Sequence, residues 1–213
     1  MIAGTDKDFD QLSTKGPVKD YGNGMYALRA VKLYSDGALG SRGAALIKPY
    51  SDDPHSHGLL FHKSADMDKM MAKAMRKGYQ VNVHAIGDAS NRQILDAFAK
   101  EIPANHTEGQ RNRIEHAQIV QPEDIPRFKT IGIIPSMQPT HATSDKNMAE
   151  TRIGPERIKG AYAWRTFLHQ GSRIACGSDF PVEAPNPFFG LHAAVTRQDA
   201  QGQPVAGLSL IHI

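Results

Sequence analysis

The chain has one cysteine, one tryptophan and no long apolar run. The lone thiol, Cys176, cannot close an intrachain disulfide, so a disulfide-stapled extracellular scaffold is excluded. No apolar stretch approaches the ~20 residues that a membrane-spanning helix needs. The opening residues, MIAGTDKDFDQ, are too polar for the core of a signal peptide. A basic stripe is missing too: the net charge is +3, and Lys, Arg, Asp and Glu are scattered along the chain. Nothing there tracks a phosphate backbone. Neither nucleic acid nor membrane is therefore an expected partner. A small-molecule substrate is expected, a homo-oligomer is left open, and the cytoplasm is the expected compartment, with the native N-terminus expected to be missing.

What is present is a hydrophobic fraction of 40% over 213 residues, enough for a sizeable core. From residue 29 onward, short apolar or β-branched runs alternate with longer segments of helical period, the pattern of βα units around a parallel sheet. Strands are expected at Ala30–Tyr34, Gln80–His84, Arg113–His116, Gly132–Met137 and Arg173–Cys176. Helices are expected at Ser64–Lys77, capped by Ser64 and carrying a core-filling stripe of Met67, Met70, Met71 and Met75, at Asp88–Lys100 and at Pro155–Gln170. A shorter helix should follow Gln121 with Pro122 in its first turn.

Two segments stand outside the repeat. One is Met1–Asn23; the other is Gly43–His62, rich in Pro, Ser, Asp and His, which reads as a long loop insertion of the kind that covers active sites in barrels. The C-terminal L-S-L-I-H-I, Leu208–Ile213, matches the translation of a transposon-end sequence used in making sequencing libraries. The expected division is a partial upstream segment over 1–28, barrel over 29–207 and a non-native read-through tail over 208–213.

Three strand ends finish on potential metal ligands: V-N-V-H at His84, R-I-E-H at His116 and A-C-G-S-D at Asp179. In a (β/α)8 barrel of ~250 residues each unit takes roughly 31 residues. His84 and His116 are about one unit apart, His116 and Asp179 about two, and Lys32 precedes His84 by one unit plus the insertion. All four then fall on the C-terminal rim, where barrel enzymes place their catalytic groups. Imidazole and carboxylate converging there suit zinc or a similar divalent ion with a position left for water. Taken singly, each has an ordinary structural role available, and it is their shared placement at unit spacing that makes them a site.

Other candidates carry less. His55 and His57 form an H-x-H inside S-D-D-P-H-S-H-G, a solvated loop and not a strand end. Glu115 could orient a ligand ring or form an ion pair, Asp88 reads as a helix cap, and Cys176 as a packed thiol. No serine sits in an exposed G-x-S-x-G elbow, so a Ser–His–Asp hydrolase has little support.

The runs V-K-L-Y-S-D-G-A-L-G-S-R, V-N-V-H-A-I-G-D, R-I-E-H-A-Q, S-M-Q-P-T-H and G-S-D-F-P-V-E, in that order, resemble the successive signatures of amidohydrolase family 3 within the metal-dependent amidohydrolase superfamily. The resemblance covers about Tyr26 to Gly207. It implies an α/β fold, a partial (β/α)8 TIM barrel of the metal-dependent hydrolase type comprising about strands 4 to 8, from the C-terminal part of the catalytic barrel. It also implies one or two divalent ions, with zinc expected, held by Lys32, His84, His116 and Asp179. The family's first-strand H-x-H has no match here, since His55 and His57 follow Lys32. Arg42, Gln138 and His141 resemble substrate-facing positions, although loop hydrogen bonding fits each equally.

The resemblance further implies a hydrolase of non-peptide carbon–nitrogen bonds in amides, formamides or cyclic amides, with Asp179 moving a proton from water to the leaving nitrogen. A bare ammonium at Lys32 would repel the metal, so a bridging role requires a carboxylated Lys32; otherwise Lys32 binds an anionic part of the substrate or pairs with Asp36. Lacking the first-strand ligands, the fragment alone is expected to be inactive and, with unpaired edge strands, poorly soluble. The competing expectation is a non-catalytic binding or regulatory remnant of an amidohydrolase barrel.

Overall fold

Each run of alternating burial in the sequence becomes one rung of a single parallel sheet. The computed structural model describes residues 2–3 and 6–205. In chain order its elements are β1 (Ile2–Ala3), α1 (Asp6–Leu12), β2 (Val18–Tyr21), β3 (Tyr26–Leu28), β4 (Ala30–Tyr34), α2 (Ser64–Arg76), β5 (Gln80–Ala85), α3 (Asp88–Asn105), β6 (Arg113–His116), α4 (Ile125–Ile131), β7 (Ile134–Met137), α5 (Pro139–Ser144), α6 (Ala149–Arg157), α7 (Trp164–His169), β8 (Ala175–Cys176) and α8 (Pro187–Thr196). The sheet order is β1-β4-β5-β6-β7-β8, with every neighbouring pair parallel, and β2 and β3 form a separate antiparallel hairpin. The five expected strands are all present, consecutive in space and joined by helical crossovers, which is the partial α/β barrel. Met1–Asn23 does not stand wholly outside the repeat, because Ile2 and Ala3 pair in parallel with Val31 and Lys32. The hexapeptide 208–213 lies outside the described residues.

The two faces of the sheet differ in chemistry. Residues paired across parallel strands point the same way. Val31, Leu33, Val81, Val83 and Ile114 are buried among the core side chains, which include Met67, Met71 and Met75 of α2 and Ile94, Leu95 and Phe98 of α3. The expected methionine stripe is therefore core. The other face carries Lys32, Tyr34, Asn82, His84, Arg113 and Glu115 in register, a polar wall.

Several local expectations need correction. Ser64 does not cap α2: the cap position is Lys63, and the Ser64 hydroxyl accepts from the Gln93 amide at 3.2 Å. Asp88 does not cap α3 either. It is the first helical residue, fully buried, and its carboxylate accepts from Ile47 N at 2.9 Å and from the Gln121 side chain. The short helix starts at Ile125 with Pro126 in its first turn, later than Gln121 predicts. No single helix spans Pro155–Gln170. α6 ends at Arg157, a 3-10 turn follows at Ile158–Gly160, and the chain is extended through Ala161 before α7. The break is forced by packing: a Cβ on Gly160 would lie 2.0 Å from Val120 O, and Tyr162 takes a left-handed φ of 52°. Cys176, expected to be packed, is exposed at the end of β8.

The Gly43–His62 insertion is ordered by its own hydrogen bonds: Leu46 N to His57 O (2.8 Å), Tyr50 N to Ser56 O (2.9 Å) and the Tyr50 hydroxyl to Ala44 O (2.8 Å). Arg157 ties it to α6 through Lys48 O and Pro49 O. His55 and His57 are exposed on it, and the His57 ring meets Leu46 O.

Candidate metal and substrate site

His84 sits near the C-terminal end of β5, and His116 is the last residue of β6. Their rings are 4.5 Å apart, centroid to centroid, edge to face. His116 ends its strand at φ 75°, and Asp179 lies beyond β8 at φ 56°; both are left-handed conformations that most residues avoid and that recur where a side chain is held for function. His116 is buried, 7% exposed, whereas Asp179 is exposed.

The tautomer of His116 follows from its neighbour. Its Nδ1 lies 2.8 Å from Gln138 Oε1, and the Gln138 amide nitrogen donates to Ser136 O at 3.2 Å, which fixes the amide orientation. An amide oxygen only accepts, so Nδ1 carries the proton and Nε2 is left with a lone pair. The His141 ring stacks on His116 at 5.9 Å and 13°, and its buried Nε2 meets no hydrogen-bond partner among the described residues. His116, Gln138, His141 and Trp164 line a cavity of about 10 Å³, room for a single water and not for a substrate.

Burial pushes both imidazoles towards the neutral form. His84 is lowered to about 3, first by burial and then by the nearby His116 and Lys32. His116 is lowered by burial, against the pull of the Asp179 charge. Lys32 on β4 is lowered as well, by burial, with Glu115 and Asp179 opposing. Its ammonium stands 5.1 Å from the Tyr34 ring centre, while the Asp36 carboxylate, its other expected partner, is taken up by backbone N–H groups. Glu115 forms an ion pair with Arg113 at 3.0 Å. The Arg42 guanidinium is taken up by Asp52 through two bonds of 3.2 and 3.0 Å, and Arg152 reaches the same carboxylate. The structure thus gathers Lys32, His84, His116, Gln138 and His141 around one rim, brings the charge of Asp179 to bear on it, and binds Arg42 to the insertion.

Asp36 was visible in the sequence only as a conceivable partner for Lys32. It is 1% exposed, and its carboxylate accepts backbone N–H groups from Ala45 (2.9 Å), Ile86 (3.0 Å) and Gly87 (2.8 Å). Oδ1 lies 3.5 Å from His84 Nε2. Burial raises its pKa to about 6, the three amides holding it down. Its only sequence signal was an aspartate before glycine just after a strand.

As a test of metal fit, the neutral imidazoles of His84 and His116 and the freed Nε2 of His116 suit a divalent ion. They supply two donors. Among the described residues, no group of three His, Cys, Asp or Glu side chains is close enough to hold an ion, so the chain presents part of a ligand set.

Residues 3–211 match the Amidohydrolase family. The protein YtcJ of Bacillus subtilis (strain 168) is 37% identical over 188 residues, covering 88% of this chain and 34% of that protein. The N-substituted formamide deformylase of Arthrobacter pascens is 25% identical over 185 residues, covering 84% of this chain and 33% of the enzyme. Among solved structures, an uncharacterized metal-dependent hydrolase from Pyrococcus horikoshii OT3 superposes with a TM-score of 0.76 at 32% identity, over 90% of this chain and 37% of that one. The chain spans about a third of the length of the curated relatives it matches. Motifs in order, a parallel sheet with a polar inner wall and agreement along nearly the whole chain lead to one conclusion: the chain belongs to the amidohydrolase family.

Proposed function

We propose that the complete protein is a metal-dependent hydrolase of carbon–nitrogen bonds outside peptides, with amides, formamides or cyclic amides as substrates. The observation that carries this reading is the pair of imidazole rings 4.5 Å apart at the strand ends, one with its tautomer set by Gln138. The name of the formamide deformylase relative supports the substrate class.

In this reading His84 and His116 would hold a divalent ion, zinc in the first instance, with Lys32 on the adjoining strand β4 and Asp179 beyond β8, two strands from β6. When bound, the ion supplies Lewis acidity to a carbonyl and acidifies water. Gln138 keeps the His116 ring aligned and its Nε2 unprotonated. Asp179, exposed at the rim, takes the proton of the attacking water and delivers it to the leaving nitrogen. Burial favours the neutral amine of Lys32, the form that CO2 converts to a carbamate able to share in metal binding.

The test is to express the complete protein, measure its metal content and assay N-formyl amines, cyclic amides and ureas beside peptides and esters. The reading expects bound divalent metal, turnover of at least one non-peptide C–N substrate, and loss of both in His116→Ala. A complete protein that holds no metal and hydrolyses none of these would support the non-catalytic remnant instead.

A further inference from the structure

The Gly43–His62 insertion sorts its apolar residues. Ala44, Ala45, Leu46 and Tyr50 are buried, whereas the consecutive Leu59, Leu60 and Phe61 stand 60%, 39% and 47% exposed. This exposure is not fraying, because the backbone around them is pinned. Leu59 N donates to Gly43 O (3.3 Å), Phe61 N donates to Ser35 O (2.8 Å), and His62 O accepts from the Gln93 side chain (3.1 Å). At Gly58 the returning segment presses so closely on the outgoing one that a Cβ would lie 1.9 Å from Ala44 O. Three large apolar side chains held in solvent contribute little to folding, and a fixed, contiguous apolar patch marks a binding surface.

Their place in the fold ties them to the candidate site. Phe61 is bonded to Ser35, the residue after Tyr34, and Ser35 N in turn donates to the backbone oxygen of His84 at 2.9 Å. Tyr34 is half exposed and shares a sheet face with His84, the two ring centres 5.6 Å apart. Around them that face carries Lys32, Asn82, Arg113 and Glu115, so on this side of the rim Tyr34 and the insertion supply the apolar surface. The cavity behind His116, at about 10 Å³, is too small to take a hydrocarbon group instead.

We propose that Leu59, Leu60 and Phe61, together with Tyr34, form the wall against which an apolar substituent of the substrate packs, so that the complete protein prefers N-substituted amides or formamides with an extended hydrocarbon group over small ones. This inference rests on the reading of the site as a hydrolase of non-peptide carbon–nitrogen bonds, and it names which of those substrates the site favours. Packing against such a wall gives a graded selectivity, up to about fourfold in kcat/KM for each methylene buried.

The experiment measures kcat/KM of the complete protein on N-alkylformamides and N-alkylacetamides from methyl to octyl, for wild type, Leu59→Ser and Phe61→Ser, with thermal melts and light scattering of each. In wild type kcat/KM should climb with chain length, and each variant should lower the octyl-to-methyl ratio by about tenfold or more while the melting temperature holds. Should the serine variants fail to fold, the milder Leu59→Ala and Phe61→Leu should lower the ratio in the same direction. A flat series, turnover confined to unsubstituted or cyclic amides, or a ratio that the variants leave unchanged overturns the proposal and leaves the hydrolase reading standing. An unchanged ratio with a lowered melting temperature would assign the patch to another part of the complete protein, and a wild-type dimer that the variants dissociate would assign it to a second copy. Turnover of no amide at all removes the hydrolase reading and this inference with it.

Discussion

The Gln138 side-chain oxygen accepts the Nδ1 proton of His116 at 2.8 Å, while its nitrogen is spent on Ser136 O. One side chain therefore sets both the ring plane and the tautomer of a buried imidazole. Gln138→Leu removes the acceptor and should weaken metal binding by the complete protein about 10–100-fold with the fold retained. Gln138→Glu keeps an acceptor and should bind at least as well as wild type. Competition with a chelator measures both, and equal affinity in wild type and Gln138→Leu would rule out this role.

Gly87 lies where the β5–α3 turn meets the insertion, and a methyl group there would be 1.9 Å from the backbone oxygen of Ala45. Neither backbone can retreat cheaply, since Gly87 N and Ala45 N both donate to Asp36. Gly87→Ala should lower stability by about 1–3 kcal/mol, the usual cost of overpacking. A thermal melt within a degree of wild type would show that the turn is more tolerant than this contact implies.

The strands were legible in the sequence because each is a short apolar run ending at a chemical residue, and Ala30–Tyr34 and Arg113–His116 fall where the pattern puts them. The rim histidines were legible for the same reason, since strand ends and unit spacing are one-dimensional features. Pro155–Gln170 was misread because Ile158, Tyr162 and Phe167 imitate a helical stripe. The break depends on the contact of Gly160 with Val120, some forty residues upstream. Asp36 was missed because its partners are backbone amides, which leave no trace in side-chain identity. Arg42 is bound to Asp52 within a loop whose path no periodicity describes.

Acid should loosen the fold through His84. Its pKa falls from 6.5 in the unfolded chain to about 3 when buried, so between those values the unfolded state binds more protons and stability falls as pH drops. His116 is shifted in the same direction. Asp36 opposes them: its folded pKa of about 6 lies above the unfolded 3.8, so it favours the folded state as pH falls through that window. Asp36 cancels the His84 effect between about pH 6 and 3.8, so the net loss of stability on acidification comes from His84 between pH 6.5 and 6 and from His116, shifted in the same direction. In the metal-free complete protein the melting temperature should decline from pH 7 to pH 4, and His84→Gln should flatten that decline. A steeper decline in the variant would contradict the assignment.

Arg42 can serve the substrate or the loop, and its pairing makes the two separable. Its guanidinium grips both oxygens of Asp52, so the residue ties the start of the insertion to its middle, while Arg152 joins the same carboxylate to α6. If that is its role, Arg42→Ala and Asp52→Ala should each speed proteolytic nicking within Gly43–His62. The double variant should do little more than either single one, the non-additivity expected of partners in one network. A substrate contact predicts a different pattern: Arg42→Ala would raise KM without changing the nicking rate, and Asp52→Ala would leave KM unchanged. Measuring both quantities on the same three variants distinguishes an anchor from a binding residue, because only the anchor couples the two side chains without substrate present.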